Sequence, residues 1–182
     1  YEAEIDAMLD QVRGLREAAT TAAEIERAEN SLKVAGLLKE EAPGFRFTVP
    51  APIDGDGMTF EGSDRTVEVV SYGLGHTESD LFAHIPDADL VILGDLLWVG
   101  HHPRVNDGDA IAWALVLDRI DGLGAASLIP GHGRLGARAD GEYLASYLRN
   151  VADIVDDAVA SGLDADALAR IPVPAGSEEW GS

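Results

Sequence analysis

The sequence predicts an α/β domain in layers, with helices at both ends and strands in the middle. Three observations carry this. Residues 1–42 and 140–161 place apolar side chains at three- and four-residue spacing, the period of a helix with one buried face. Between them, short apolar runs bounded by Gly, Pro and Asp read as strands. Those strands follow one another through tight turns, which suits helices layered on a sheet and does not suit a parallel doubly wound fold.

Each element has its own signal. Ile5, Met8, Leu9, Val12 and Leu15 mark the buried face of a first helix. Thr21, with Glu24 three residues on, makes a capping box that starts a second helix, whose stripe is Ile25, Ala28, Leu32 and Ala35. Pro43-Gly44 ends it. Residues 45–49 alternate as a strand does, and Pro50, Pro52 and the run Asp54-Gly55-Asp56-Gly57 form a loop. Residues 58–60 and 65–71 predict a hairpin turning at Gly62-Ser63-Asp64. Residues 81–85 and 90–93 predict a second pair that turns at Pro86-Asp87-Ala88-Asp89. Asp109 is placed to cap a helix over 110–120, and 126–129 is a short inner strand. A long helix covers 140–161 with Tyr143, Leu144, Tyr147, Leu148, Val151, Ile154 and Val155 on its buried side. Residues 163–170 add a short helix, and the tail through Trp180 is irregular. With no repeat and no low-complexity linker, residues 1–182 are expected to form a single domain of three zones: 1–44 helical, 45–136 strand-rich, 137–182 helical.

Composition narrows the function classes. Of 182 residues 46% are apolar, enough for a core. The formal net charge is −20 with only two lysines, a field that repels nucleic-acid phosphates and anionic lipid. Neither nucleic acid nor membrane is therefore an expected partner, and no run approaches the ~20 apolar residues of a membrane helix. There is no cysteine, which removes disulfides, thiolate metal sites and cysteine nucleophiles together. A cytoplasmic location is the expectation. The chain opens on Tyr1 rather than methionine, in keeping with a portion of a longer protein.

Three segments carry chemistry: Gly75-His76-Thr77-Glu78-Ser79-Asp80, Gly94-Asp95-Leu96-Leu97 and Pro130-Gly131-His132-Gly133. Each puts a metal-competent side chain just after an apolar run, at 67–71, 90–93 and 126–129. In layered α/β folds, ligands collect outside the carboxyl ends of strands, so His76, Asp95 and His132 are expected to converge. Imidazole with carboxylate suits zinc, iron or manganese, whereas an all-oxygen set would suit magnesium or calcium. The flanking glycines, 94 and 131 among them, let the chain bend around each ligand.

Around this set lie further candidates. Trp98-Val99-Gly100-His101-His102-Pro103 follows Asp95 and should flank the site. His101 and His102 read as substrate contacts or an added weak ligand, or else as loop histidines that bond locally. Trp98 and Trp113 line a pocket or fill the core. Thr77 and Asp80 would orient the loop that carries His76. His84 alternates with Phe82 along a strand and reads as structural. No Gly-x-Ser-x-Gly elbow and no phosphate-cradling Gly-x-x-x-x-Gly-Lys is present.

Taken together, Gly75-His76-Thr77, Ser79-Asp80-Leu81, Gly94-Asp95-Leu96-Leu97 and Pro130-Gly131-His132-Gly133 resemble the second half of a metallo-β-lactamase-fold hydrolase, specifically over 66–135. The resemblance implies an αββα sandwich with a metal centre, usually of two zinc ions, at one edge of its two sheets. It makes His76 the third histidine of the first metal site, Asp95 the bridging carboxylate and catalytic residue, and His132 a ligand of the second site. His102 falls where the family often has a His-Pro pair. The implied activity is attack of metal-bound hydroxide on an ester, thioester or amide-like bond of a small molecule.

The family signature His-x-His-x-Asp-His does not occur in this chain, whose histidines are His76, His84, His101, His102 and His132. That leaves two protein ligands per metal, where catalytic zinc takes three or more. Ser79 also stands where many members have glycine. The chain is therefore expected to be the C-terminal half of the fold, inactive by itself, with one sheet face uncovered unless a homodimer or a swapped assembly covers it. The alternative is a non-catalytic fragment that associates with a partner through that face.

Overall fold

The computed structural model describes residues 2–44, 46, 48, 52 and 55–181. Of the strand expected over 45–49, residues 45, 47 and 49 lie outside the described residues, as do 50, 51, 53 and 54 of the loop after it. Two compact units are present, Tyr1–Ala51 and Pro52–Ser182.

In the first unit, α1 (Glu2–Ala18) and α2 (Ala22–Glu41) pair around Ile5, Leu9 and Ala35. Ion pairs Arg16–Glu29 and Lys39–Asp6 tie the two helices in antiparallel order. The capping box is formed: Glu24 N–H donates to Thr21 Oγ1 at 3.3 Å, and Thr21 N–H donates to Glu24 Oε2 at 2.9 Å. These bonds satisfy amides that a helix start otherwise leaves unpaired. The apolar stripe of α1 is shorter than its spacing suggests, because Leu15 is exposed.

The second unit is a five-stranded sheet in the order β1-β2-β3-β4-β5. Its strands are β1 (Gly57–Glu61), β2 (Thr66–Val70), β3 (Phe82–Ile85), β4 (Leu90–Trp98) and β5 (Ser127–His132). The first four run antiparallel through short turns. β5 lies parallel to β4, reached by a crossover through α3 (Ala110–Asp121), since parallel neighbours cannot be joined by a tight turn. Asp109 caps α3, accepting from the Ala112 amide at 2.7 Å. The long helix is α4 (Arg138–Ala160), followed by α5 (Ala165–Leu168).

The core lies between the sheet and α3/α4: Phe82, Val91, Leu93 and Leu128 meet Trp113, Leu117, Ile120, Leu144 and Leu148. On α4 the buried residues are Leu144, Ala145, Leu148 and Ala158. Tyr143 and Val155, expected to be buried, are exposed, so the core-facing stripe is narrower than the sequence suggests. The opposite sheet face is also apolar. Register places Met58, Val69, Ala83, Ile92 and Ile129 in one row across all five strands. Met58 is 44% and Ile92 39% exposed, as is Phe60 at 51%. An apolar face left this open is a surface for association.

Candidate functional site

One pocket is lined by His76, Asp95, Trp98, His101, His102, Arg104, Asn106, Asp107 and His132. Three segments far apart in sequence thus reach one place. His76 sits in the loop between β2 and β3. Asp95 lies inside β4, which runs five residues past the strand end expected at 93, and His132 is the last residue of β5.

Local structure explains each placement. In the His76 loop, Asp80 accepts from the Thr77 amide at 3.0 Å and from Thr77 Oγ1 at 2.8 Å, closing a small turn. The loop docks on the start of α3, where the Asp109 amide donates to the Gly75 carbonyl at 3.1 Å. A Cβ on Gly108 would run into the backbone of Gly75 and His76, so only glycine permits this approach. Around Asp95 the β4–β5 register shifts twice, between Ile92 and Gly94 and between Gly94 and Trp98. Such an irregularity re-aims a side chain out of the pleat. Gly131 lies beside it, and a Cβ there would collide with the Asp95 carboxylate.

Asp95 and His132 meet, with His132 Nε2 3.4 Å from Asp95 Oδ1 and both side chains close to half exposed. At that distance and exposure the contact contributes little to stability. His132 also stacks on Trp98, its cross-strand partner, with ring centroids 3.7 Å apart. The Trp98 indole is anchored by its own N–H, which donates to the Asp95 carbonyl at 2.9 Å. His76 packs against the edge of Trp113 at 5.2 Å and lies 6.2 Å from Trp98. Trp113 is fully buried and donates to the Leu96 carbonyl at 3.0 Å, so of the two tryptophans one fills the core and the other walls the pocket. His84 is held by Glu68 at 2.9 Å, across β2 and β3, away from the pocket lining.

The model of the metallo-beta-lactamase superfamily matches residues 9–132. The chain belongs to this superfamily. Solved structures of the fold agree with that membership. A metallo-beta-lactamase from Pontibacter korlensis superposes with a TM-score of 0.52 at 23% identity, covering 65% of this chain and 56% of its own. TMB-1 gives 0.52 at 19% identity, with 64% and 54% covered. VMB-1 gives 0.51 at 20% identity, with 64% and 53% covered. At these identities the likeness shows the fold alone. The chain spans about half the length of these relatives. No curated protein sequence gives a match.

Superfamily members generally bind metal ions, usually zinc. The donor chemistry of His76, Asp95 and His132 suits zinc. Their arrangement does not amount to a site, because among the described residues no group of three or more His, Asp or Glu side chains is gathered to hold an ion. Asp95 and His132 are paired, while His76 shares their pocket without joining them in a cluster. The residues present therefore do not fit a metal ion by themselves.

Several pocket features carry no sequence motif. The stack of His132 on Trp98 depends on a parallel register across a crossover, and Arg104, Asn106 and Asp107 sit in a loop without a pattern. Trp180 reaches the pocket's edge from the C-terminal tail, 5.6 Å from His102 and 4.9 Å from Tyr147. A lone tail tryptophan in the sequence was the available signal for that strap. No helix of the described residues is long and apolar enough to cross a membrane.

Proposed function

We propose that this chain is the C-terminal, ligand-bearing part of a metal-dependent hydrolase that acts on an ester, thioester or amide-like bond of a small molecule. The observation that carries the reading is the meeting of Asp95 and His132 at 3.4 Å in the pocket that His76 also lines. Two neutral imidazoles and one carboxylate supply half of a dizinc ligand set, with iron or manganese as alternatives for the same donors. Asp95 is the shared carboxylate, and His76 and His132 each serve one ion. Trp98, His101 and His102 line the substrate side, and Thr77 and Asp80 brace the His76 loop.

The remaining ligands belong to a part of the fold that this sequence does not include. The coding sequence upstream of Tyr1 tests this directly: a His-x-His-x-Asp-His motif is expected there, and its absence would leave the metal without a full ligand set. The chain by itself is expected to bind zinc weakly and to show little or no hydrolysis. Calorimetric titration with zinc checks this, and two tightly held ions per chain would overturn it.

The second reading, a non-catalytic fragment that associates through its sheet, is favoured by one observation. The row Met58, Val69, Ala83, Ile92, Ile129 is an apolar strip with exposed members at β1 and β4. A homodimer meeting at this strip would bury it.

A further inference from the structure

His101 and His102 are neighbours in sequence, line the same pocket and are held in opposite ways. His101 Nδ1 lies 3.0 Å from the Val99 carbonyl. A carbonyl only accepts, so His101 Nδ1 carries a proton, and in the neutral ring its Nε2 is then a bare lone pair. His102 Nδ1 lies 3.0 Å from the Tyr147 hydroxyl. A phenol O–H is a good donor and a phenol oxygen a poor acceptor beside a basic imidazole nitrogen. Tyr147 therefore donates, His102 Nδ1 accepts, and the proton of the neutral ring sits on Nε2. Burial, with Tyr143 nearby, pushes the Tyr147 hydroxyl above its ordinary value, which keeps it a donor across the neutral range.

The C-terminal tail locks this arrangement. The Gly181 amide donates to the Gly100 carbonyl at 3.0 Å, and the His102 amide donates to the Gly181 carbonyl at 2.8 Å. Trp180 packs 5.6 Å from the His102 ring and 4.9 Å from Tyr147. Gly181 packs on the His101 ring, where a Cβ would stand 3.1 Å from Cδ2 and 3.3 Å from Nε2. Neither Nε2 has a partner among the described residues.

We propose that His101 and His102 are a fixed acceptor–donor pair, His101 offering a bare Nε2 and His102 an Nε2–H, with Tyr147 as the positioning residue that sets the second tautomer. A group carrying both an acceptor oxygen and an N–H or O–H is the ligand chemistry that matches this pair. The inference rests on the reading of this pocket as the reaction site only for its use, since the tautomers are a property of the metal-free chain.

The test is a long-range proton–nitrogen correlation spectrum of the 15N-labelled full chain without metal, at a pH of about 8, above the ordinary histidine value of ~6.5. The expected result is an Nδ1–H pattern for His101 and an Nε2–H pattern for His102. In Tyr147→Phe the His102 pattern should collapse toward a mixture of tautomers, while His101, held by a backbone carbonyl, keeps its own and reports that the fold is intact. The same tautomer at both residues in the unaltered chain overturns the proposal, as does an unchanged His102 pattern in a folded Tyr147→Phe. Should that variant unfold, the spectrum of the unaltered chain decides alone. None of these outcomes depends on metal or turnover, so the hydrolase reading can fail separately.

Discussion

Trp98 and His132 face each other across the parallel β4–β5 pair with their rings stacked at 3.7 Å and tilted by only 22°. The stack limits rotation of the imidazole and holds its Nε2 beside Asp95. Replacing Trp98 with Ala removes that restraint and leaves the ligand set untouched. In the full-length protein, zinc affinity is expected to fall about 10-fold or more, the scale seen when an outer partner of a ligand is lost. A competition titration with a chromophoric chelator measures it, and unchanged affinity would show that the stack does not orient His132.

Gly131→Ala acts on the same place from the other strand. Its Cβ would meet the Asp95 carboxylate and the backbone of Gly94 and Asp95. Overpacking of this kind costs about 1–3 kcal/mol. A lowered Tm together with reduced zinc binding is the expected pair of results; a normal Tm would mean that β4 shifts freely to make room.

Trp113 closes the core under the His76 loop. Trp113→Ala should cost about 3–5 kcal/mol, because a fully buried indole and its bond to the Leu96 carbonyl are lost together. Urea unfolding followed by circular dichroism gives the number, and a loss below ~1 kcal/mol would place Trp113 outside the load of the core.

Much of this was legible beforehand, for identifiable reasons. Helix starts are local, so the Thr21–Glu24 capping box and the Asp109 cap could be read from residues a few positions apart. Hairpins are nearly as local. In the sequence an apolar run stops at Leu93, which puts Asp95 past a strand end. The structure carries β4 on through Gly94 and Asp95 to Trp98, since pairing with β5, set by a crossover of some thirty residues, outweighs local polarity. Period alone puts Leu15, Tyr143 and Val155 on buried faces, and all three are exposed, because period cannot say how wide a face its neighbours cover. The tie between His102 and Tyr147 spans 45 positions and left no pattern to read.

The helical pair offers a pH test. Backbone amides of Thr20 and Thr21 hold the Glu24 carboxyl at about 2, below its usual 4.5. A lowered folded-state value means that the stabilising effect is complete above about 4.5 and is lost as pH falls through about 2. The stability gap between the unaltered chain and Glu24→Ala should therefore be constant from neutral pH to about 5 and shrink progressively below it. Denaturant midpoints across that range check this; a gap independent of pH down to about 2 would contradict the capping account.

The open sheet face predicts association. Sedimentation of the isolated chain should show a concentration-dependent dimer or larger assembly, weakened by Ile92→Glu. A clean monomer at all concentrations would rule out the apolar strip as a self-association surface.

The most direct measurement is the zinc stoichiometry of the full-length protein carrying single alanine substitutions. On the proposed reading, His76→Ala and His132→Ala should each weaken mainly one ion, and Asp95→Ala should weaken both, because one carboxylate would serve two sites. Unchanged stoichiometry in all three variants, or an Asp95→Ala protein that keeps both ions, would contradict the account.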